Sequence, residues 1–169
     1  MKKETIRKEI LMKGEGVLRS TEILLENLKH YYSLTSNRAI AKKLNLSEAV
    51  ILNWSAGRSS PSVAQINEIA YMIGIDVSQL IIPNNRFDVY TPIWRDKIKE
   101  TIINNLKRLK LELDIHESNF YTEFYDKEKM SYRTFLRYIN GQNKNLNLKN
   151  LDKLANILSV KTYELLERE

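Results

Sequence analysis

Apolar residues recur three and four positions apart through most of the chain, which is the spacing that places side chains on one side of an α-helix. Two stripes of this kind are especially regular: Ile66, Ile69, Ala70 and Ile73 in the first half, and Leu148, Leu151, Leu154, Ala155 and Leu158 in the second. No segment shows the strict alternation of polar and apolar residues that is typical of a half-buried strand. The pattern predicts an all-α protein.

The same order of helix signals occurs twice. Four positions in the first half match four positions that lie 84 residues further along: Ser47 and Ser131, Ile51 and Phe135, Trp54 and Tyr138, Gly57 and Gly141. One inserted residue then raises the offset to 85, and three more pairs match: Ile66 and Leu151, Ala70 and Ala155, Leu80 and Leu165. Each copy contains a serine cap, a short helix, a glycine stop, a polar loop and an amphipathic helix. This repeat predicts two similar small helical domains.

Glycine and proline are scarce, and their positions indicate the boundaries of the domains. Pro83 and Pro92 enclose a stretch that has no helical periodicity, and proline also disfavours helix at the residue before it. The sequence therefore predicts an N-terminal helical extension at residues 1–20, a first domain at 21–82, a linker at 83–93 and a second domain at 94–169.

Each domain is predicted to hold five helices. In the first, Ser36 or Asn37 caps the second helix, a tight turn follows, Ser47 caps the third helix, and Gly57 ends it. The second domain differs at Asp126-Lys127-Glu128-Lys129, where about four extra residues lie between the expected second helix and Ser131. These residues predict a longer turn before the third helix of the second domain.

Two short helices joined by a tight turn, the second capped by serine, are typical of a helix-turn-helix. The first copy resembles the lambda-repressor-like family, also called the Cro/CI or XRE family, in Asn45-Leu46-Ser47, Ile51, Trp54, Gly57, Pro61-Ser62, Ile69-Ala70, Gly74-Ile75 and Leu80. The second copy is similar to it in Ser131, Phe135-Leu136-Arg137-Tyr138, Gly141, Leu154-Ala155, Val160 and Leu165-Leu166. The resemblance implies two tandem five-helix domains. It also implies a third helix in the DNA major groove, a second helix against the DNA backbone, and a homodimer.

Helical geometry indicates which side chains of each third helix point outward. In a helix that begins at Ser47, the apolar residues Val50, Ile51 and Trp54 share the inner face. The outward set is then Glu48, Ala49, Leu52 and Asn53 in the first domain, and Tyr132, Arg133, Leu136 and Arg137 in the second. With the caps and the neighbouring polar residues, the predicted DNA-binding residues are Asn37, Arg38, Ser47, Glu48, Ala49, Asn53, Arg58, Ser131, Tyr132, Arg133, Thr134 and Arg137.

The two outward faces differ in their chemistry. Arg133 and Arg137 lie four residues apart on one face, and each guanidinium matches the acceptors of guanine. In the first domain, Glu48 accepts a hydrogen bond from cytosine but repels phosphate, and Ala49 offers only a methyl group to thymine. Asn53 is left as the one good base reader there. The second domain is therefore expected to be the better DNA reader.

An aromatic cluster precedes the third helix of the second domain: Phe120, Tyr121, Phe124, Tyr125 and Tyr132. Aromatic rings stack on exposed bases, but rings at helical spacing are more commonly part of a core or an interface, and we favour that interpretation.

Composition narrows the function classes. The chain has 27 lysine and arginine residues against 21 aspartate and glutamate residues, a net charge of +6 that is compatible with nucleic acid. Cysteine is absent, which excludes thiol catalysis and thiolate metal sites and fits a cytoplasmic protein, and no segment is apolar enough to span a membrane. His30 and His116 stand apart from any second metal ligand, and no phosphate-binding loop or nucleophile motif occurs. We expect no enzyme activity, no metal and no cofactor.

Two functions remain open. The first is a DNA-binding transcriptional regulator of phage or mobile-element type that binds double-stranded DNA. Its two domains act as a covalent pseudo-dimer on half-sites about 34 Å apart, or one domain reads DNA while the other dimerises. The alternative is a protein-binding inhibitor of the anti-CRISPR kind, which the resemblance also allows, with a partner held by Glu48, Ala49 and Leu52 and with DNA-binding autoregulation by the rest of the chain.

Overall fold

The structure, a computed structural model, describes residues 19–87 and 94–168. The described residues form helices joined by turns and loops and contain no strand, which confirms the all-α prediction. One isolated antiparallel bridge joins Ser62 to Asn147. In the first half the helices are α1 (Ser20–Tyr32), α2 (Asn37–Leu44), α3 (Glu48–Ser55) and α4 (Val63–Ile73), followed by a 3-10 turn at Val77–Ile81. Residues 1–18 of the predicted N-terminal extension, residues 88–93 of the predicted linker, and residue 169 lie outside the described residues.

The second half repeats this order with one irregular helix. Its elements are α5 (Ile98–Glu112), α6 (Glu117–Asn119), a π-helical turn (Phe120–Phe124), α7 (Tyr125–Glu128), α8 (Tyr132–Ile139), α9 (Leu148–Ile157) and a 3-10 turn (Thr162–Leu165). Among residues 19–87 and 94–168, no helix combines the length and the apolar composition that crossing a bilayer requires.

The caps form as the sequence predicts. The hydroxyl oxygen of Ser47 accepts a hydrogen bond from the Val50 N–H at 3.3 Å, and that of Ser131 accepts one from the Thr134 N–H at 3.2 Å. Of the two candidates for α2, Ser36 is the cap, because its side chain accepts from the Ala39 N–H. These bonds satisfy donors that the first turn of a helix leaves free.

The stops of α3 and α8 are also alike. Gly57 has a φ of +73° and Gly141 a φ of +68°, a left-handed conformation that favours glycine. The residue after each glycine donates its N–H back to the helix: Arg58 to the Asn53 carbonyl and Gln142 to the Arg137 carbonyl. The predicted glycine stop is confirmed.

The prediction of a longer turn before α8 is wrong. In the first half the turn consists of Asn45, with a φ of +55°, and Leu46, and in the second it consists of Lys129, with a φ of +52°, and Met130. The extra residues lie inside the preceding helix, which runs without a break from Glu117 to Glu128, whereas α2 runs only from Asn37 to Leu44. This longer helix includes the wide turn at Phe120–Phe124, in which Phe120 and Phe124 are buried. The link between the second and third helices thus has the same length in both halves.

Each half ties its first helix to its last turn through a buried asparagine. The side-chain N–H groups of Asn27 donate to the carbonyls of Leu80 and Ile82, both at 2.9 Å. Those of Asn105 donate to the carbonyls of Leu165 and Glu167, at 3.0 and 2.9 Å. Because the two amides are buried, these bonds compensate the loss of water at the amide and at the carbonyls.

The two halves contact each other reciprocally through the loops that follow α3 and α8. The Val63 N–H donates to the Leu146 carbonyl, and the Leu148 N–H donates to the Pro61 carbonyl, each at 3.0 Å. Residues 61 and 63 correspond to residues 146 and 148 at the offset of 85 in the sequence repeat. The pairing is therefore that of equivalent residues, as across a two-fold axis. We call these paired loops the seam.

A second pair of contacts also involves two equivalent residues, Asn67 and Asp152, each of which contacts the other half. The Asn67 side chain on α4 donates to the Arg95 carbonyl just before α5, at 3.0 Å. Its counterpart Asp152 on α9 accepts from the Ser20 N–H at the start of α1, also at 3.0 Å. Each half thus holds the start of the other half's first helix, and one hydrophobic core runs through both.

Two features at the predicted linker were not foreseen. Phe87, inside the predicted linker, is buried and packs on Tyr31 with ring centroids 5.6 Å apart, so the start of that segment belongs to the first half's core. Arg95 is only 5% exposed and donates through Nε to Asp76 Oδ2 at 2.8 Å and through Nη1 to the Leu166 carbonyl. Arg95 therefore links the last turns of the two halves.

Candidate nucleic-acid interface

Helix α3 faces the core with Ile51 and Trp54, which are fully buried, while Val50 is half-buried. Glu48 and Ala49 are exposed on the opposite side, and Leu52 keeps 45% of its surface in contact with solvent. The predicted outward face of this helix is confirmed for these three residues. It presents one carboxylate and a small apolar surface.

Asn53, the predicted base reader of the first half, is half-buried and has a fixed orientation. Its Oδ1 accepts a hydrogen bond from Nε of Arg58 at 2.8 Å. Arg58, one of the predicted DNA-binding residues, is exposed just beyond the glycine stop. The bond aligns the amide of Asn53 before any ligand binds and leaves the terminal nitrogens of Arg58 free to reach outward.

Helix α8 buries Phe135, Tyr138 and Ile139 and exposes Arg133 and Arg137. Within residues 19–87 and 94–168, neither guanidinium has a hydrogen-bond or ion-pair partner, so both remain available to an anion or a base edge. This is the outward pair that the sequence predicts, on one face of a serine-capped helix.

Tyr132 does not point outward as predicted. It is half-buried, and its ring lies 5.2 Å from that of Phe120, which is fully buried. Its backbone N–H at the start of α8 donates to the hydroxyl of Tyr121 at 3.2 Å. The aromatic cluster therefore draws Tyr132 inward and supports the first turn of α8.

The core interpretation of the aromatic cluster is confirmed for its centre. Phe120 and Phe124 are buried, with ring centroids 6.3 Å apart in a stacked arrangement. Tyr121 is 49% exposed at the edge of the cluster, and Tyr125 is half-buried. The cluster shapes the segment that precedes α8.

The hydroxyl groups of the capping serines form hydrogen bonds within the protein. Ser131 accepts from the Thr134 N–H and donates to Thr134 Oγ1 at 3.0 Å, so these two predicted DNA contacts bind each other first. Ser47 is exposed and likewise caps α3. A ligand at either helix start would meet hydroxyls that are already oriented.

At the start of α2, Asn37 is half-buried and Arg38 is exposed. The Oδ1 atom of Asn37 is buried and has no hydrogen-bond partner among the described residues. Phosphate accepts hydrogen bonds and does not donate them, so only the nitrogen donors of Asn37 suit the predicted backbone contact. Further along α2, Lys42 is exposed, and Lys43 lies over the Tyr32 ring at 4.9 Å.

Two lysines next to α8 were missed at the level of sequence. A groove of about 400 Å³ between α8 and α9 is lined by Ser131, Thr134, Asn150 and Lys153, among others. Lys149 is exposed at the start of α9, one turn before Lys153. The sequence signal was the four-residue spacing of these lysines, which places them on one polar side of α9. Their proximity to the candidate interface is visible only in the structure, where Lys153 lines the groove next to α8.

In the described ranges, no group of three or more histidine, cysteine or carboxylate side chains is arranged to hold a metal ion. Comparison of the chain with protein-family models, with curated protein sequences and with solved structures gave no significant match.

Proposed function

We propose that the chain is a DNA-binding regulator of phage or mobile-element type, formed by two lambda-repressor-like helix-turn-helix domains that act as a pseudo-dimer within one chain. The observation that carries this proposal is the reciprocity of the halves. Two short serine-capped helices, α3 and α8, each follow a two-residue turn, each expose one face, and each lead into the same seam.

A two-fold relation between two such helices is what a dimeric helix-turn-helix protein uses to enter successive major grooves about 34 Å apart. In such proteins the relation is set by an interface between subunits. Here, equivalent residues of one chain form the corresponding contacts at Ser62 and Asn147. This supports a monomeric pseudo-dimer as the binding unit, while the homodimer expected from the resemblance stays a prediction.

The charges agree with this proposal. Arg133 and Arg137 are exposed on α8 and have no ion-pair or hydrogen-bond partner among the described residues, and Lys153 on α9 lines a groove with Ser131 and Thr134 of α8. Arginine is the residue that most commonly reads guanine, and lysines beside a reading helix suit the phosphates that flank it.

The proposal is tested by titrating the full chain into a pool of random duplex DNA at several salt concentrations. We expect binding at low salt that weakens steeply as salt rises. The double variant Arg133→Ala with Arg137→Ala should lose at least about tenfold in affinity. A matched control, Lys99→Ala with Lys107→Ala, removes the same charge from the exposed side of α5 and should bind within about twofold of the unmodified chain. Absence of binding to random or genomic DNA at low salt would refute the proposal.

A second function is favoured by one observation. Leu52 is 45% exposed, and α3 carries no cationic side chain, so this surface also suits a protein partner. The pair Glu48→Arg with Leu52→Arg separates the two functions. If this pair abolishes biological activity and the arginine pair on α8 does not, the chain acts through a protein partner; the reverse result supports DNA reading.

A further inference from the structure

The surroundings of α3 and α8 differ at equivalent positions. The second half carries five cations on or near α8 and α9, and the first half carries none in their places: Lys129 corresponds to Asn45, Arg133 to Ala49, Arg137 to Asn53, Lys149 to Ala64, and Lys153 to Glu68. One of the five, Lys129, is ion-paired with Asp126 at 2.8 Å. Since the caps, stops and turns of the two helices agree, this difference does not come from a different backbone. It is confined to the side chains that face outward.

The first half has exposed cations on the preceding helix and, in Arg58, one just beyond the end of α3. Lys42 and Arg38 are exposed on α2. At the positions that match Lys42 and Lys43, the second half has Asp126 and Lys127, and Lys127 is turned inward, where its Nζ donates to Ser159 Oγ at 2.7 Å. Cations suited to phosphate thus lie on α2 and at Arg58 in the first half, and on α8 and α9 in the second.

We infer that the chain binds a non-palindromic DNA site, with a guanine-containing half-site under α8 and a thymine-containing half-site under α3. In the half-site under α8, Arg133 and Arg137 contact the guanines. In the half-site under α3, Ala49 and Leu52 contact thymine methyl groups. This inference rests on the proposed function and goes beyond it by assigning a different base to each half.

The base assignments follow from the chemistry of the two faces. Guanine presents two acceptors in the major groove, and a guanidinium donates to both at once. Thymine is the only base with a methyl group there, and the side chains of Ala49 and Leu52 offer methyl groups to contact it. Glu48, at the start of α3, repels phosphate, so the side chains of α3 are better suited to base edges than to the backbone.

The covalent link makes this asymmetry consequential. Two copies of one chain present identical surfaces and therefore select an inverted repeat. Here the seam holds two different surfaces together, because the Val63–Leu146 and Leu148–Pro61 hydrogen bonds join the loops that follow α3 and α8. A single chain can therefore select two unequal half-sites in a fixed order.

The first experiment selects bound sequences from a random duplex library with the full chain and with two double variants. We expect two unequal half-sites for the unmodified chain. Arg133→Ala with Arg137→Ala should remove the guanine preference from one half-site and leave the other intact. Ala49→Ser with Leu52→Ala should do the opposite, with the Lys99→Ala, Lys107→Ala variant as the unchanged control.

The second experiment replaces single bases in the selected site. Uracil in place of thymine under α3 removes only the methyl group and should weaken binding several-fold, whereas the Ala49→Ser, Leu52→Ala variant should not respond. 7-Deazaguanine under α8 lacks N7 but keeps O6, so it removes one of the two hydrogen bonds of the arginine and should weaken binding roughly tenfold.

The outcomes distinguish the two proposals. An inverted repeat of equal half-sites, or a thymine half-site that ignores both uracil and the α3 variant, overturns the inference and leaves DNA binding in place. If α3 affects no base at all, its exposed surface belongs to a protein partner and the inference fails. If no form of the chain selects any DNA, the proposed function fails with it.

Discussion

Ser62 and Asn147 face each other as an antiparallel bridge at the contact between the two halves, and they occupy equivalent positions in the sequence repeat. Each is also the cap of a helix, since Ser62 accepts from the Gln65 N–H at 3.1 Å and Asn147 from the Asn150 N–H at 2.9 Å. One pair of residues therefore fixes the starts of α4 and α9 and the relative placement of the loops that follow α3 and α8.

The buried asparagines give the first prediction. Asn105→Ala leaves the Leu165 and Glu167 carbonyls without their donor, and the free energy of unfolding should fall by about 2 kcal/mol because two hydrogen bonds of about 1 kcal/mol each are lost. Asn104, its exposed neighbour on α5, provides the matched control, and Asn104→Ala should change stability by less than about 0.5 kcal/mol. Urea unfolding followed by circular dichroism measures both. Equal effects of the two substitutions would contradict the role of Asn105.

The pairing of Arg95 with Asp76 gives the second prediction, which concerns pH. Burial by itself raises the pKa of Asp76, but the hydrogen bonds from Arg95 and Ser78 outweigh it and hold the pKa below its usual value. The folded state then binds fewer protons than the unfolded state near pH 4, so this contribution to stability is present above the unfolded pKa and is lost as pH falls through the folded one.

Asp76→Asn tests the pH dependence. At pH 7 the variant should be less stable by about 3 kcal/mol or more, since Arg95 stays buried without a carboxylate. The difference between the variant and the unmodified chain should begin to shrink as pH falls below about 4, where Asp76 of the unfolded chain takes up a proton, and should go on shrinking toward the lower pKa of Asp76 in the folded state. The measurement is urea unfolding at intervals between pH 3 and 7. A difference that stays constant over this range would exclude Asp76 as the source.

The two glycine stops give the third prediction. Alanine at either position would adopt a left-handed conformation, which costs about 1–2 kcal/mol. At Gly141 the added Cβ would also lie 2.7 Å from Cδ1 of Ile103, whereas at Gly57 it would meet the flexible end of Arg19. Gly141→Ala should therefore lower the thermal midpoint more than Gly57→Ala. Asparagine tolerates this conformation, so Gly57→Asn should lower the thermal midpoint less than Gly57→Ala does. If Gly57→Ala leaves the midpoint unchanged, the end of α3 does not depend on glycine.

The regular parts of the fold could be predicted from sequence because each depends on local signals. Ser47 and Ser131 as caps and Gly57 and Gly141 as stops act within a few residues, and apolar spacing gave the buried faces of α3 and α8. The same reasoning failed where an irregular helix replaced a loop. Residues Asp126–Lys129 suggested a longer turn, but the helix continues to Glu128, and Phe120 and Phe124 in its wide turn are buried in the core.

The contacts between the halves were beyond prediction from sequence. Asn67 and Asp152 are polar residues within amphipathic helices, and nothing local indicates that one contacts Arg95 and the other Ser20. Tyr132 was misplaced for the same reason, because its partner Phe120 is twelve residues away. For the candidate site, the sequence indicated the arginines of α8. It did not indicate the lysines of α9, because the position of Lys153 next to α8 depends on how the helices pack.

Those lysines give the last prediction. Lys153 lines the groove between α9 and α8, and Lys149 is exposed one turn before it on α9. If both lysines contact phosphates, the loss of each should flatten the slope of log affinity against log salt by about 0.9. Lys149→Ala with Lys153→Ala should therefore flatten the slope by about 1.8 while the selected base sequence stays the same. The change in slope is measured by fluorescence anisotropy on one duplex at salt concentrations between about 50 and 300 mM. The Lys99→Ala, Lys107→Ala control removes two charges from α5 and should leave the slope unchanged. A changed base preference with an unchanged slope would mean that these lysines read bases and do not bind the backbone.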